Sequence, residues 1–221
     1  VVKSMHGNYI KAIDIFDKVK EIPTEQREEK KIPFIIGDNK PALVYEELLK
    51  LTQTRKSVRW YKEKAVPNEI LKKALKIASL SPSSCNRLPY RYIISNKEPE
   101  LTKKISDISA GTVGWSHNIP SIAVLVGKQS TFSNVANRHS IYIDSTLSVM
   151  PFVLALESLG VNTCLINWAD IPSREKRMNK ILSLKQDEKV VVSIAFGYAD
   201  TSEKVAFSQR KYINEISNFL D

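Results

Sequence analysis

Residues 138–167 read RHSIYIDSTLSVMPFVLALESLGVNTCLIN. Arg138–Leu159 is apolar enough for a long core helix. Gly160 is a stop signal, because glycine enters the left-handed conformation at a helix end without steric cost. Pro151 lies inside the pattern and predicts a kink or a local break. Thr163–Asn167 then reads as a strand. A long helix that passes straight into a strand calls for a fold in which helices cover a sheet.

The segments on either side agree. Short apolar runs at Ser121–Gly127 and Lys189–Gly197 read as buried strands, and Tyr90–Ser95 as a further candidate. Pro67–Ser79 reads as a helix opened by proline, with Ile70, Leu71, Ala74, Leu75 and Ala78 on one face. Glu98–Ser109 and Pro172–Leu182 read as helices, and Tyr212–Leu220 as a helical C-terminal segment. Another helix is expected from near Pro41, with Leu43, Val44, Leu48 and Leu51 as its buried stripe. Mixed in this way, the elements give an α/β or α+β domain. The first residues differ from the rest: a helix at Met5–Lys20 (Ile10, Ile13, Phe16, Val19), a charged linker at Glu21–Lys31 and an apolar patch at Pro33–Ile36. The expected division is therefore an N-terminal extension, 1–40, and a main domain, 41–221.

Bulk properties narrow the function classes. The chain has 221 residues, 43% hydrophobic and 26% charged, which suits one globular domain. No apolar run approaches the roughly 20 residues that span a bilayer, so no membrane role is expected. Val1–Ser4 shows no secretory pattern, and Cys85 and Cys164 are too few for a disulfide framework or a cysteine metal site; a cytoplasmic protein with reduced thiols and no metal is expected. The net charge is +9. Two readings fit: a lysine-rich solvated surface, or an anionic partner such as a phosphate-bearing cofactor. The cations are scattered without interleaved aromatics, which argues against nucleic acid.

Four segments carry candidate chemistry. In Thr54-Arg55-Lys56-Ser57-Val58-Arg59, three cations and a hydroxyl fall within five positions. In extended backbone Arg55, Ser57 and Arg59 point to one side, which suits phosphate oxygens; a solvated basic loop after a helix C-terminus fits as well. Pro82-Ser83-Ser84-Cys85-Asn86-Arg87-Leu88-Pro89 is a stiff, donor-rich loop that suits the edge of a flat heterocycle, or is an ordinary turn. Leu165-Ile166-Asn167-Trp168 ends a strand in a loop with a large aromatic, which either packs or lines a site. Phe196-Gly197-Tyr198 leads to a return of cations at Lys204, Arg210 and Lys211.

The order and spacing of these segments resemble the FMN-dependent nitroreductase family from about Leu48 to the C-terminus. The resemblance rests on Arg55–Arg59, Pro82–Tyr90, the long helix entered near Asp144, Gly160 with Leu165–Trp168, and Phe196–Tyr198 followed by Arg210. It implies an α+β fold: a three-layer sandwich with a mostly antiparallel sheet flanked by helices, in an intertwined homodimer with FMN at the interface. It implies that Arg55 and Arg210 clamp the FMN phosphate with Ser57, beside Lys56. Arg59 would lie near the pyrimidine edge of the ring. Pro82, Ser83, Ser84 and Asn86 would approach the flavin from the partner subunit, and Leu165, Ile166, Asn167 and Trp168 would cover one ring face. The implied activity passes hydride from NAD(P)H through the flavin to a small electron-poor acceptor by a ping-pong cycle, with no obligatory catalytic side chain. His6, His117 and His139 are read as structural or solvated. A flavin dehydrogenase of a specialised pathway and a non-catalytic flavin binder are the alternatives. Three positions depart from the family's usual residues: Leu88 stands for glutamine, and Asn167 and Trp168 for an acidic residue and a glycine. Trp168 is expected to narrow the substrate space or move its loop.

Overall fold

Four strands form one antiparallel sheet: β1 (Tyr90–Ser95), β2 (Ser121–Lys128), β3 (Asn162–Asn167) and β4 (Glu188–Gly197), in the order β1-β2-β4-β3. The computed structural model describes residues 42–220. The chain divides into two units, Val1–Ala42 and Leu43–Asp221. The expectations for Met5–Lys20, Glu21–Lys31 and Pro33–Ile36, and the helix start at Pro41, lie outside the described residues.

β2 runs through the centre and is buried from Ser121 to Gly127. Its side chains alternate between faces because a strand has a period of two. Ile122, Val124 and Val126 join one core cluster, with Ile105 and Ile108 of α3 (Pro99–Ile108) and Met178 of α5 (Pro172–Leu182). Ala123 and Leu125 join the other, with Leu71, Ala74 and Ala78 of α2 (Asn68–Ala78) and Val149, Phe152, Val153 and Leu156 of α4 (Ser140–Ser158). The result is a three-layer α+β sandwich, as the sequence implies. β1 and α5 keep their expected bounds, and the other strands shift by one residue at an end.

Three expectations need correction. The helix expected from near Pro41 is α1 (Tyr45–Thr54), with Val44 at its N-cap. Its stripe is not buried within the chain: Leu43 is 52% exposed, Val44 53% and Leu48 43%. The C-terminal helix shrinks to a single turn, α6 (Ile213–Ile216), in a tail exposed from Thr201 to Leu220. A lone turn with no packed face has little to stabilise it. Pro151 does not interrupt α4. Having no N–H for the Leu147 carbonyl one turn back, it leaves that carbonyl free, and the Ser81 hydroxyl donates to it at 3.3 Å. By length and composition Val135–Ser158 is also apolar enough to cross a membrane. It packs on the sheet instead, and buries Asp144, Ser145 and Ser148.

The sheet is tied laterally by a bidentate ion pair. Arg91 on β1 donates Nε to Glu188 Oε1 at 2.8 Å and Nη2 to Oε2 at 3.0 Å, across β2 to the start of β4. The Lys185 N–H adds a third bond to Oε2 at 2.9 Å. The Arg91 guanidinium in particular holds the buried Glu188 carboxyl at about 2, well below the usual glutamate range. A depressed pKa stabilises the fold above the ordinary range, and that contribution fades as pH falls towards the folded-state value. Glu188→Gln should therefore lower stability at neutral pH by about 1–2 kcal/mol, Arg91 being half exposed and screened. In denaturant melts the gap from the parent should narrow between pH 4.5 and 2; a gap independent of pH would show that the charge contributes nothing.

Candidate functional site

The chain leaves α1 at Arg55, whose N–H still caps the Leu51 carbonyl at 3.1 Å, and turns into extended backbone. Ser57 pairs in parallel with Thr163, and Val58 N–H donates to the Thr163 carbonyl at 3.0 Å. The segment thus lines the otherwise free edge of β3. Lys62 N–H donates to Tyr198 O at 2.8 Å, and Asp200 N–H to Trp60 O at 3.0 Å. The Asn118 amide brackets Tyr61, accepting from its N–H at 2.6 Å and donating to its carbonyl at 3.3 Å. Val58 and Tyr61 are buried in the core, and the Tyr61 hydroxyl donates to Val58 O at 2.6 Å. Burial pushes that hydroxyl well above the tyrosine range, so it stays a neutral donor.

Val58 turns inward beside the buried Cys164 of β3, and Arg59 and Arg55 lie within electrostatic reach of that thiol. Burial pushes that thiol up, against the pull of Arg59, then Arg55, and the Ser57 hydroxyl beside it. Arg55 and Lys56 also lie within range of Glu157, whose carboxyl burial pushes up. Arg59 lies over the Trp115 ring at 5.8 Å, a cation–π contact. Lys56 turns back instead, giving its Nζ to Gln53 O at 2.6 Å.

The second segment is a strained loop between α2 and β1. Cys85 (φ 53°), Asn86 (φ 52°) and Leu88 (φ 45°) are left-handed, a state costing about 1 kcal/mol or more for each such residue. Local bonds hold it: Ser83 Oγ accepts from Leu88 N–H at 2.9 Å. Asp144 of α4 receives both Ser84 N–H, at 3.0 Å, and Ser84 Oγ, at 3.1 Å. Pro82, Ser84 and Asn86 are exposed, with Ser83 half-buried.

In the third segment, strand alternation leaves Leu165 and Asn167 exposed while Ile166 enters the core; of Ile166, only the backbone is presented there. Trp168 does not stand free. It packs half-buried against the core, and its indole N–H donates to Glu175 of α5. Arg210 lies in the exposed tail, and its guanidinium reaches the neighbouring carbonyls of Ser208 and Gln209 at 3.3 and 3.5 Å. The structure thus brings Arg55, Ser57 and Arg59 together, and leaves Arg210 on the tail. Asp144 and Glu175 were missed as site residues. For Asp144 a signal existed: it is the one acidic residue between Ile141 and Ala155 of an apolar helix.

The sequence and fold now have counterparts. The chain matches the Nitroreductase family over residues 52–114 and 108–198, which take in the Arg55–Arg59 segment, the strained loop and all four strands. The chain belongs to the nitroreductase family. It is 29% identical over 157 residues to a protein of Archaeoglobus fulgidus named as an NADH dehydrogenase/NAD(P)H nitroreductase, covering 69% of this chain and 86% of that one. It is 23% identical to the iodotyrosine deiodinase of Nematostella vectensis, over 89% of this chain and 78% of the other. Among solved structures, the FMN-dependent nitroreductase of Clostridium difficile superposes with a TM-score of 0.66 at 23% identity, over 78% of this chain and 99% of that one. The Bacillus subtilis nitroreductase ydfN superposes at 0.69 with 16% identity, over 80% and 100%.

Close approach of the 55–62 segment to β4 depends on Gly197. A Cβ there would meet Pro120 Cγ at 2.7 Å and Tyr61 Cδ1 at 3.0 Å. Gly197→Ala should displace the Tyr61 ring and lower stability by about 1–3 kcal/mol. The change is read by thermal melting; an unchanged melting temperature would mean that the segment is not clamped as described.

Proposed function

We propose that this chain is an FMN-dependent oxidoreductase. It takes hydride from NADH or NADPH and reduces a small electron-poor acceptor, a nitroaromatic or quinone-like molecule, working as a cytoplasmic homodimer. The observation that carries the reading is the placement of the Arg55–Arg59 segment against the edge of β3, in a chain of the nitroreductase family. The printed names of the Archaeoglobus and Clostridium relatives support both the nicotinamide donor and the FMN.

The residues present suit the cofactor. Two guanidinium forks and a hydroxyl match the oxygens of a dianionic phosphate. Arg55 and Ser57 would hold that phosphate, and Arg210 would complete the clamp once the tail is laid down. Arg59, fixed over Trp115, would set positive charge near the ring and favour its reduced form. Ser83, Ser84 and Asn86, with the rigid Pro82, would offer donors to the ring edge. When bound, FMN supplies the hydride chemistry, and the protein supplies position, charge and exclusion of water. Leu165 and Asn167 face the space where donor and acceptor would dock in turn. Trp168, drawn off to Glu175, leaves that space open and anchors the loop beyond it. No side chain is required as an acid or base.

Unpartnered apolar side chains support the homodimer. Ile143, Leu147 and Met150 recur along one side of α4 and are exposed, as are the stripe of α1 and Phe207, Ile213, Ile216 and Phe219 of the tail. Exposed large apolar side chains in this number suit an interface. A second copy would bury them and bring the tail, with Arg210, onto a neighbouring site. Residues 1–40 would then serve as an extension outside the main domain.

Three measurements check this. Initial rates with varied NADH or NADPH and varied quinone or nitroaromatic should give parallel double-reciprocal lines, the signature of donor and acceptor using one site in turn. Arg55→Ala and Arg210→Ala should each weaken FMN binding about tenfold or more; normal affinity in both would remove the phosphate clamp. Leu147→Glu with Met150→Glu should convert the dimer to a monomer by light scattering and lower FMN binding with it. A monomeric parent that holds FMN at full affinity would contradict the shared site.

A further inference from the structure

We propose that Asp144 is the positioning residue for the cofactor-facing loop, and that α4 sets the shape of that loop from beneath. The inference rests on the flavin reading above and assigns a role to a residue that the resemblance leaves without one.

Asp144 is 2% exposed, and a buried carboxylate is costly unless donors surround it. Its two oxygens are both engaged by one residue of the loop, the Ser84 N–H at 3.0 Å and the Ser84 hydroxyl at 3.1 Å. Charge-assisted bonds of this kind are stronger than neutral ones. They act on the first residue of the turn that then carries Cys85, Asn86 and Leu88 through left-handed backbone. Such a run of disfavoured conformations persists only where its surroundings impose it. α4 imposes it at a second point. The Leu147 carbonyl that Pro151 leaves without a helical partner takes the Ser81 hydroxyl, at the entry to the loop. Asp144 and Leu147 lie three apart on one side of α4, and Ser81 and Ser84 lie three apart in the loop. Two anchors at matched spacing fix both position and orientation, where one would leave the loop free to turn. Arg87 closes the far end by donating to Thr131 O at 2.6 Å. Asp144 touches neither cofactor nor substrate in this assignment; it acts through Ser84.

The test uses the full chain as parent, Asp144→Asn and Asp144→Ala. Each is titrated with FMN by flavin fluorescence, with circular dichroism on the same samples and the visible flavin spectrum taken at saturation. The parent should bind FMN. Both variants should keep the parent's circular dichroism and bind FMN roughly ten- to hundredfold more weakly, alanine worse than asparagine. The bound flavin's band should also shift from the parent's position, a change that loss of stability alone does not produce. Folded variants with the parent's affinity and spectrum would overturn the proposal while leaving the flavin reading intact. If Asp144→Ala does not fold, the nearly isosteric asparagine variant decides by the same two readouts. A parent that binds no FMN would overturn the flavin reading and this proposal together.

Discussion

At 3.0 Å the Val58 N–H donates to the Thr163 carbonyl, and through that bond and the Ser57–Thr163 bridge a loop leaving a helix is held against the edge of the sheet. Edge strands present unpaired backbone groups that must be satisfied, and here β3 satisfies them with the segment that carries Arg55, Ser57 and Arg59. The pairing fixes which side chains turn inward. Val58 and Tyr61 enter the core, and Arg59 between them is exposed. The Asn118 amide on Tyr61 and the bare Cα of Gly197 against its ring hold the far end. The proposed phosphate site would in this sense be a by-product of covering the edge of the sheet.

The other half of the site depends on α4. This helix is apolar on nearly every side, the pattern of an element with no solvated face. One side packs on the sheet. Another carries Ile143, Leu147 and Met150 into the open within a single chain. Between the two, Asp144 and the Leu147 carbonyl grip the strained loop. The same helix therefore meets the core, the loop and the surface where a second copy would lie. In the proposed dimer, assembly and the shape of the loop would be joined through one rigid element.

Much of this was legible in the sequence. Hydrophobic runs of strand length gave β1, β2 and β4 nearly to the residue, and Gly160 marked the passage from α4 to β3. Val58, in the middle of the Arg55–Arg59 segment, turns into the core, as an extended stretch with alternating sides allows. What escaped reading depended on long-range partners. The stripe of α1 was taken as buried, because periodicity reports an apolar face but not whether the same chain covers it. Pro151 predicted a kink or break, since nothing local shows that Ser81, seventy residues earlier, takes the carbonyl it frees. Nor does anything local show that Glu175, on the next helix, holds the Trp168 indole. The C-terminal helix is likewise reduced to one turn, whose apolar residues Ile213 and Ile216 stay exposed.

The central claim is that the site holds a flavin and uses it to carry reducing equivalents. The most direct measurement is an anaerobic titration of the FMN-loaded protein with NADH and with NADPH, followed at the flavin's visible band. The account predicts that at least one donor bleaches the band in proportion to bound flavin, and that a quinone or nitroaromatic then restores the colour. A protein that takes up no FMN, or one whose bound FMN neither donor bleaches, would contradict it.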